Sequence, residues 1–324
     1  MRAAAGLIGL VLLAACATTP GGPAAVVPAS PSIRVEARPV PMDASDLQRR
    51  SLGAFAFAGD VDLTSPDTSR LHGLSDLKVW PDGRLLAVSD EGDMLEAQLV
   101  LDAAGRLGGI DHARLTPLIA EDGRPLLARG KGEADSEGIA ELADGVRLVS
   151  LERDDRVLAY PVGGGPPRRA PAPDVVFPKN LGMEALAADP AAGPDAYIVG
   201  AEQSGRTWTC RLSGGCAPGV TVQLAEDQGL TAVAPLPGGR RAYLLRAFSP
   251  LKGVRVTLRI AEADGTVVDE LRLLQPLTVD NFEGLAAVPR PDLGVRFYLV
   301  ADDNFSRLQR TLLLAFDWRE PKRR

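Results

Sequence analysis

The sequence has little of the chemistry on which many enzymes depend. It contains two histidines, His72 and His112, and three cysteines, so a zinc site or a Ser-His-Asp triad has few candidate residues. No Gly-x-Ser-x-Gly elbow and no phosphate-binding glycine fingerprint occurs. The formal net charge of −6 argues against nucleic acid as a partner, since that partner requires a basic surface.

Long apolar runs are also scarce, and the clearest one stands at the N-terminus. After Met1-Arg2, the run Ala3–Ala14 is too short to span a bilayer comfortably and predicts a secretory signal over residues 1–15. Leu13-Ala14-Ala15-Cys16 resembles the lipobox of bacterial lipoproteins, which implies acylation of Cys16 and cleavage just before it. The alternative is an ordinary signal cut near Ala15. Because Ala17 is not Asp, the resemblance implies an outer-membrane lipoprotein, with its domain in the periplasm or at the cell surface.

The remaining chain divides into a tether and one domain. Residues 16–45 are rich in Pro, Gly and Ala and predict a semi-extended tether. Residues 46–324 are long enough for a single repetitive all-β domain. Cys210 and Cys216 flank Ser-Gly-Gly, so we expect a disulfide that clips a hairpin in an oxidising compartment.

A short phrase recurs along this domain: a small residue, then an aliphatic residue, then Ala or Ser. Its small residues are Gly73, Gly138, Ala185, Ala232 and Gly284. The spacing is roughly 50 residues, the length of one four-stranded propeller blade. Turn residues follow most of the phrases, and a short apolar, strand-like run follows each one.

Five phrases predict a five-bladed β-propeller. The first interval is longer and contains an insertion, roughly Ala103 to Glu133, that could hide another blade, so six blades is the alternative. The apolar segment from Leu52 to Ala58 could form the outermost strand of the last blade, beside Thr311–Trp318. Such an N-terminal strand would close the ring and remove free sheet edges.

Several motifs resemble the phytase-like domain family, described as having esterase-like activity of phytase. They are Gly73-Leu74-Ser75, Ala87–Gly92, Asp135–Ala140, Ser150–Arg153, Asn180 with Glu184-Ala185-Leu186, Asp280–Leu285 and Ala301–Asn304. The resemblance covers about residues 65–318. It implies a propeller and a hydrolase of phosphoesters or esters, and it does not imply a particular substrate.

Polar residues stand at corresponding ends of the predicted blades. Just before the small residues are His72, Glu137, Glu184, Thr231 and Glu283. The segments after the second strands add Asp90-Glu91, Glu152-Arg153-Asp154, Glu202, Arg246 and Asp302-Asp303-Asn304. All should converge at one mouth of the central channel.

Carboxylates brought this close require compensation, and Ca²⁺ accepts six to eight oxygen ligands in flexible geometry. The predicted calcium ligands are Glu137, Glu184, Glu283, Asn180 and Asn281. The predicted catalytic residues are Glu137, Glu283 and His72, and the predicted contacts to an anionic or ester substrate are Arg153, Arg246, Asp302 and Asn304.

Three functional hypotheses remain open at this point. The first is a Ca²⁺-dependent hydrolase of phosphoesters or small esters. The second is a non-enzymatic propeller that binds a ligand, glycan or protein through the same mouth. The acidic residues could also have a purely structural role, accepting backbone N–H bonds or pairing with Arg153, Arg156 and Arg246. The third is a Ca²⁺-dependent lactonase, which differs from the first only in substrate.

Overall fold

The computed structural model describes residues 31–179, 181–290 and 294–320. The predicted signal segment, Cys16 and Asn180 lie outside the described residues. Strands dominate: β1 (Glu36–Pro39), β2 (Ser51–Leu52) and β3 (Phe55–Thr64) come before the first complete sheet. No helix among the described residues is long and apolar enough to cross a membrane.

Four sheets are formed by strands that are consecutive in the chain. The first blade contains β4 (Leu74–Val79), β5 (Arg84–Ser89), β6 (Asp93–Leu101) and β7 (Leu107–Pro117). The second contains β8 (Ser136–Glu141), β9 (Arg147–Leu151), β10 (Arg156–Tyr160) and β11 (Arg168–Ala170). The third contains β12 (Met183–Ala188), β13 (Ala196–Ala201), β14 (Arg206–Arg211) and β15 (Cys216–Thr221). The fourth contains β16 (Gln228–Pro235), β17 (Arg241–Ser249), β18 (Gly253–Ala261) and β19 (Val267–Leu273).

The fifth blade joins the two ends of the chain. Its strands β20 (Phe282–Arg290), β21 (Gly294–Ala301) and β22 (Leu312–Trp318) are followed in the sheet by β3, which pairs antiparallel with β22 from Trp318↔Phe55 to Leu312↔Asp62. The predicted closure of the ring by an N-terminal strand is therefore confirmed. β1 and β2 extend this sheet by pairing with β3.

The blades form one closed ring of five. The innermost strands contact one another in the order β4, β8, β12, β16 and β20, and β20 returns to β4. The alternative of six blades is wrong, because the insertion in the first interval forms the long β6–β7 hairpin and a connection to β8. That connection contains a 3-10 turn (Leu126–Arg129) and one helical turn (Lys131–Ala134).

Burial explains why the second strands are almost continuously apolar. Strands β5, β9, β13, β17 and β21 lie within their sheets and are buried along nearly their whole length. Both faces of such a strand are covered by neighbouring blades, so the alternation of a half-exposed strand is lost. In the third blade, Cys210 of β14 and Cys216 of β15 form a disulfide.

The folded part begins before residue 46, so the segment predicted as tether is shorter than expected. Ile33 and Met42 are buried. The Ile33 N–H donates to the Ala113 carbonyl, and Asp43 bridges to Leu277. Two apolar side chains in an otherwise Pro-rich segment are enough to fix it against the blades.

Candidate functional site

Each innermost strand is interrupted by a β-bulge near its first residues. The register against the second strand shifts between Leu74 and Asp76, Ser136 and Gly138, Met183 and Ala185, Leu230 and Ala232, and Phe282 and Gly284. The residues left unpaired are Ser75, Glu137, Glu184, Thr231 and Glu283. A bulge re-aims the side chain of its extra residue, which accounts for three glutamates at equivalent positions of one channel mouth.

This register corrects the sequence alignment of the first blade. The residue equivalent to Glu137 is Ser75, three positions after His72, so the prediction of His72 at that channel position is wrong. The first-blade residue that corresponds to the small residues of the other inner strands is therefore Asp76 instead of Gly73. Because the other blades have Gly or Ala where the first blade has Asp76, the sequence repeat did not show the correct alignment of the first blade.

A second set of equivalent residues follows the second strands. The paired positions Leu74↔Ser89, Ser136↔Leu151, Met183↔Ala201, Leu230↔Leu245 and Phe282↔Ala301 are each followed in the chain by one of five polar residues. These are Asp90, Glu152, Glu202, Arg246 and Asp302. The mouth therefore combines four acids and one arginine from this set with the three glutamates at the bulges.

One half of the mouth has the geometry of a cation site. Ligand oxygens of Asp135, Glu137 and Glu152 all lie within 4.8 Å of one another. Burial, together with the charges of Glu283, Asp135 and Glu152, raises the pKa of Glu137 well above its usual value. Burial and the charge of Asp135 raise the pKa of Glu152 to about 7. Arg153 Nε forms a salt bridge with Asp135 Oδ2 of this trio, at 2.7 Å.

The other half of the mouth is organised by Arg246. Its Nη1 donates to Asn281 Oδ1 and to Glu283 Oε1, the latter at 2.5 Å, and its Nη2 lies 3.5 Å from Glu202 Oε1. Asn281 Nδ2 donates to the same Glu283 oxygen at 2.8 Å. Burial would lower the pKa of Arg246, but the surrounding carboxylates outweigh it and raise that pKa.

The predicted ligand set is therefore divided by the structure. Glu137 belongs to the close carboxylate trio, whereas Glu283 and Asn281 contact the Arg246 guanidinium. Glu184 joins neither group, and burial with the charge of Glu202 raises its pKa well above normal. Glu152 was absent from the predicted ligands; its position directly after a second strand was the sequence signal that could have identified it.

His72 lies at the edge of the mouth, in a cluster with an exposed aromatic ring. Its Nε2 is 3.3 Å from Glu91 Oε2, and its ring packs edge-on against Phe305 with centroids 4.2 Å apart. Burial would lower the pKa of His72, but the hydrogen bond and charge of Glu91 outweigh it and raise that pKa. Lys131 Nζ lies 4.4 Å from the centre of the Phe305 ring and donates to Asp90 Oδ2 at 2.5 Å.

Asp302 and Asn304 lie beside this cluster. Burial and the charge of Glu283 raise the pKa of Asp302 to about 8, although the Asn304 N–H donates to its Oδ1 at 2.7 Å. Burial and the charge of Asp302 raise the pKa of Asp90 to about 7. Asn304 and Phe305 both have left-handed backbones, with φ of 47° and 54°, a costly conformation for a bulky aromatic residue.

The chain is similar to several solved structures at low identity. A putative gluconolactonase is 14% identical, with 90% of each chain covered and a TM-score of 0.47. The calcium-binding protein regucalcin from Agrobacterium tumefaciens is 12% identical, with 84% of this chain and 90% of that chain covered and a TM-score of 0.45. Virginiamycin B lyase from Staphylococcus aureus is 6% identical, with 88% of this chain and all of that chain covered and a TM-score of 0.43.

No curated protein matches this chain, whereas a family model does. The match spans residues 69–305, from the connection before the first blade to the loop of the fifth blade that carries Phe305. It therefore includes both sets of mouth residues and all five bulges. The chain belongs to the phytase-like family, described as having esterase-like activity of phytase.

Proposed function

We propose that this protein is a Ca²⁺-dependent hydrolase of phosphoesters or small esters that acts at the mouth of its channel. The observation that carries the proposal is the trio Asp135, Glu137 and Glu152, whose ligand oxygens lie within 4.8 Å of one another. Three carboxylates at this separation oppose one another's ionisation unless a cation or protons intervene.

The chemistry of the donors fits a hard cation. All three side chains offer carboxylate oxygens, the ligands that Ca²⁺ prefers, and no histidine or cysteine belongs to the group. Arg153 compensates Asp135 only in part, because its side chain is 47% exposed. The buried Oδ1 of Asp90 is a further mouth oxygen without a hydrogen-bond partner among the described residues.

The surrounding residues then take separate roles. A bound Ca²⁺ would supply Lewis acidity to a phosphoryl or carbonyl oxygen. The half-exposed Arg153 is the better candidate to contact an anionic substrate. Arg246 holds Glu283 and Asn281 in place, so we assign it a positioning role. Burial raises the pKa of Glu283 to about 7, although Arg246 opposes the shift, and a carboxyl group with that pKa can exchange protons near neutral pH.

The test begins with calcium binding by a protein that starts at Ala17, measured by titration calorimetry. Hydrolysis of a panel of phosphomonoesters, p-nitrophenyl esters and lactones follows, with and without chelator. We expect Glu137→Gln and Glu152→Gln to weaken calcium binding by about 100-fold or more and to abolish turnover, because each removes a charged ligand from the trio. The matched control is Glu36→Gln, an exposed acid on β1, which should leave both unchanged. Calcium binding that is equal in all four proteins would refute the proposal.

A non-enzymatic binding role is the second candidate, and the pairing of the mouth cations favours it. Arg246, Arg153 and Lys131 each contact a mouth carboxylate, so each would have to leave a partner to bind an anion. Calcium binding without turnover on the whole panel would favour this role. Turnover of lactones alone would favour the lactonase.

A further inference from the structure

The most exposed apolar side chains of the described residues lie on one face of the ring. Val176 is 99% exposed, Leu251 is 92% and Leu308 is 94%. Val176 lies in the connection between the second and third blades, Leu251 in the β17–β18 turn, and Leu308 in the β21–β22 loop. These connections are all at the end of the ring where the second strands finish, which is the mouth face.

Each of these three tips carries an exposed basic residue close in sequence. Lys252 follows Leu251 directly, Arg307 precedes Leu308 directly, and Lys179 is three residues after Val176. None of the three cations takes part in a salt bridge within the part of the chain that the structure describes, although most other arginines there do. Their charges are therefore available to a partner outside the ring.

The first described residue also lies near the mouth face. The Leu115 N–H donates to the carbonyl of Pro31, and Ser32 bridges antiparallel to Arg114. β7 runs toward the mouth and ends at Pro117, so Pro31 is beside the last residues of that strand. The described part of the chain therefore begins beside the mouth face. Fourteen residues lie between Cys16 and Pro31 in the sequence, so these two residues can be at most about 50 Å apart.

We propose that the mouth face docks on an anionic lipid bilayer, with Val176, Leu251 and Leu308 inserted among the headgroups. Single aliphatic tips flanked by cations suit a lipid interface, where apolar insertion and attraction to anionic headgroups add. A protein partner would instead require a continuous apolar centre within the contact. These three tips belong to different loops and are separated by polar residues. Docking in this orientation turns the mouth toward the lipid surface.

The test uses the protein that starts at Ala17, so that an acyl anchor cannot contribute; it retains every described strand. Binding is measured by co-sedimentation with vesicles of phosphatidylethanolamine and phosphatidylglycerol at 3:1, and with vesicles of phosphatidylcholine. We expect binding to the anionic vesicles only. The variant V176S/L251S/L308S should bind at least about tenfold more weakly. The variant K179Q/K252Q/R307Q should lose about fivefold per cation at low salt and most of the salt dependence.

Two controls distinguish the proposed docking from non-specific adsorption to vesicles and from the proposed catalysis. Val162→Ser removes an apolar side chain that is 65% exposed on the opposite face and should bind like the parent. Glu137→Gln should also bind like the parent, because the trio is recessed in the mouth. The proposal is overturned if the parent does not bind anionic vesicles, or if V176S/L251S/L308S binds as well as Val162→Ser. Unchanged thermal unfolding of each variant ensures that a loss of binding reports on the tips.

Discussion

Replacement of Asp76 should strongly lower the stability of the ring, because the buried carboxylate of Asp76 connects three blades through hydrogen bonds. Oδ2 accepts hydrogen bonds from the Ile139 N–H of the second blade at 3.0 Å and from Lys78 Nζ at 2.9 Å. Oδ1 accepts from its neighbour Leu77 at 2.8 Å and from the Leu285 N–H of the fifth blade at 3.3 Å. The inner strands have no further strand on their channel side, so this carboxylate satisfies backbone donors that would otherwise lack a partner.

The size of the effect follows from these contacts. Burial raises the pKa of Asp76, while Lys78 and the backbone donors oppose the shift. Truncation to Ala removes the carboxylate partner of the Lys78 ammonium, whose side chain is 15% exposed, and this costs about 3 kcal/mol, at the lower end for a buried pair. It also leaves two cross-blade N–H groups without an acceptor, at about 1 kcal/mol or more each. We therefore expect Asp76→Ala to lower the free energy of unfolding by about 5 kcal/mol, a large part of the ~5–15 kcal/mol typical of a folded protein.

Equilibrium urea unfolding measures this loss. At a slope of about 3 kcal/mol per molar urea, the midpoint should fall by between about 1 and 2 M without a change in slope. Asp76→Asn keeps one acceptor oxygen and should fall between the parent and Asp76→Ala, which also provides a folded variant if the alanine protein does not fold. The control is Asp111→Ala, because Asp111 is an exposed strand residue whose carboxylate lies 3.9 Å from the His112 ring nitrogen Nε2. A midpoint for Asp76→Ala equal to that of Asp111→Ala would refute the reasoning.

A double mutant tests the mechanism as well as the magnitude. Lys78→Met in the Asp76→Ala background removes the buried ammonium that the first substitution leaves without its carboxylate. The double mutant should therefore be more stable than Asp76→Ala alone, with a coupling energy of about 1–3 kcal/mol. Additive losses would show that the ion pair is not the source of the effect.

Three further predictions concern burial, close packing and protons. Asp60 is buried, and burial raises its pKa well above normal although the charge of Arg310 opposes the shift. Its contribution to stability is complete below pH about 4 and is lost as the pH rises, so the stability of Asp60→Asn relative to the parent should grow by up to about 1.4 kcal/mol per pH unit. A pH-independent difference between the two unfolding curves would contradict this. A Cβ at Gly138 would lie 2.6 Å from Leu186 Cβ and 2.7 Å from the Glu184 carbonyl oxygen. Gly138→Ala should therefore lower the free energy of unfolding in urea by about 2 kcal/mol. The control Gly215→Ala, with open space around it, should change this free energy little. Calcium binding should release protons near pH 7, because the pKa of Glu152 is raised to about 7. Calorimetry in two buffers of different ionisation enthalpy should detect this release. Equal heats of calcium binding in both buffers would argue against calcium at this trio.

The number of blades could be predicted from the sequence because packing imposes a small residue at the same position of four of the five inner strands. Gly138 and Gly284 stand where a Cβ would meet the neighbouring inner strand within 3 Å, so a larger residue at either position would force the strands apart. The closing strand was predictable for a similar reason, since an apolar run before the first blade must find a sheet edge. Asp76 breaks the pattern in the first blade, because its cross-blade hydrogen bonds replace a small residue by a charged one. No local pattern reveals such a replacement, which is why the predicted phase of His72 was wrong.

The site was less predictable because charge balance depends on distances that the sequence does not contain. The phase of the repeat brought the acids to one mouth, but it could not show which of them Arg246 contacts. Arg246 forms salt bridges with Glu283 and Glu202, Lys131 with Asp90, and Arg153 with Asp135. The mouth carboxylates that form no salt bridge among the described residues are those of Glu137, Glu152, Glu184 and Asp302.

These four carboxyl groups decide what the mouth can bind. Each has a raised pKa, because burial outweighs the opposing charges of Arg153 on Glu152 and of Arg246 on Glu184 and Asp302. Each group therefore either keeps a proton or meets a cation from solution. Glu137 and Glu152 share their position with Asp135, and that third oxygen makes a divalent cation the better solution there. Among the described residues, Glu184 and Asp302 belong to no such group of three ligands. Asp302, with a pKa of about 8, is better suited to keep its proton at neutral pH. The mouth therefore combines a carboxylate trio suited to a divalent cation with a carboxyl group suited to keep its proton, the two groups that the proposed metal-assisted hydrolysis of an ester would use.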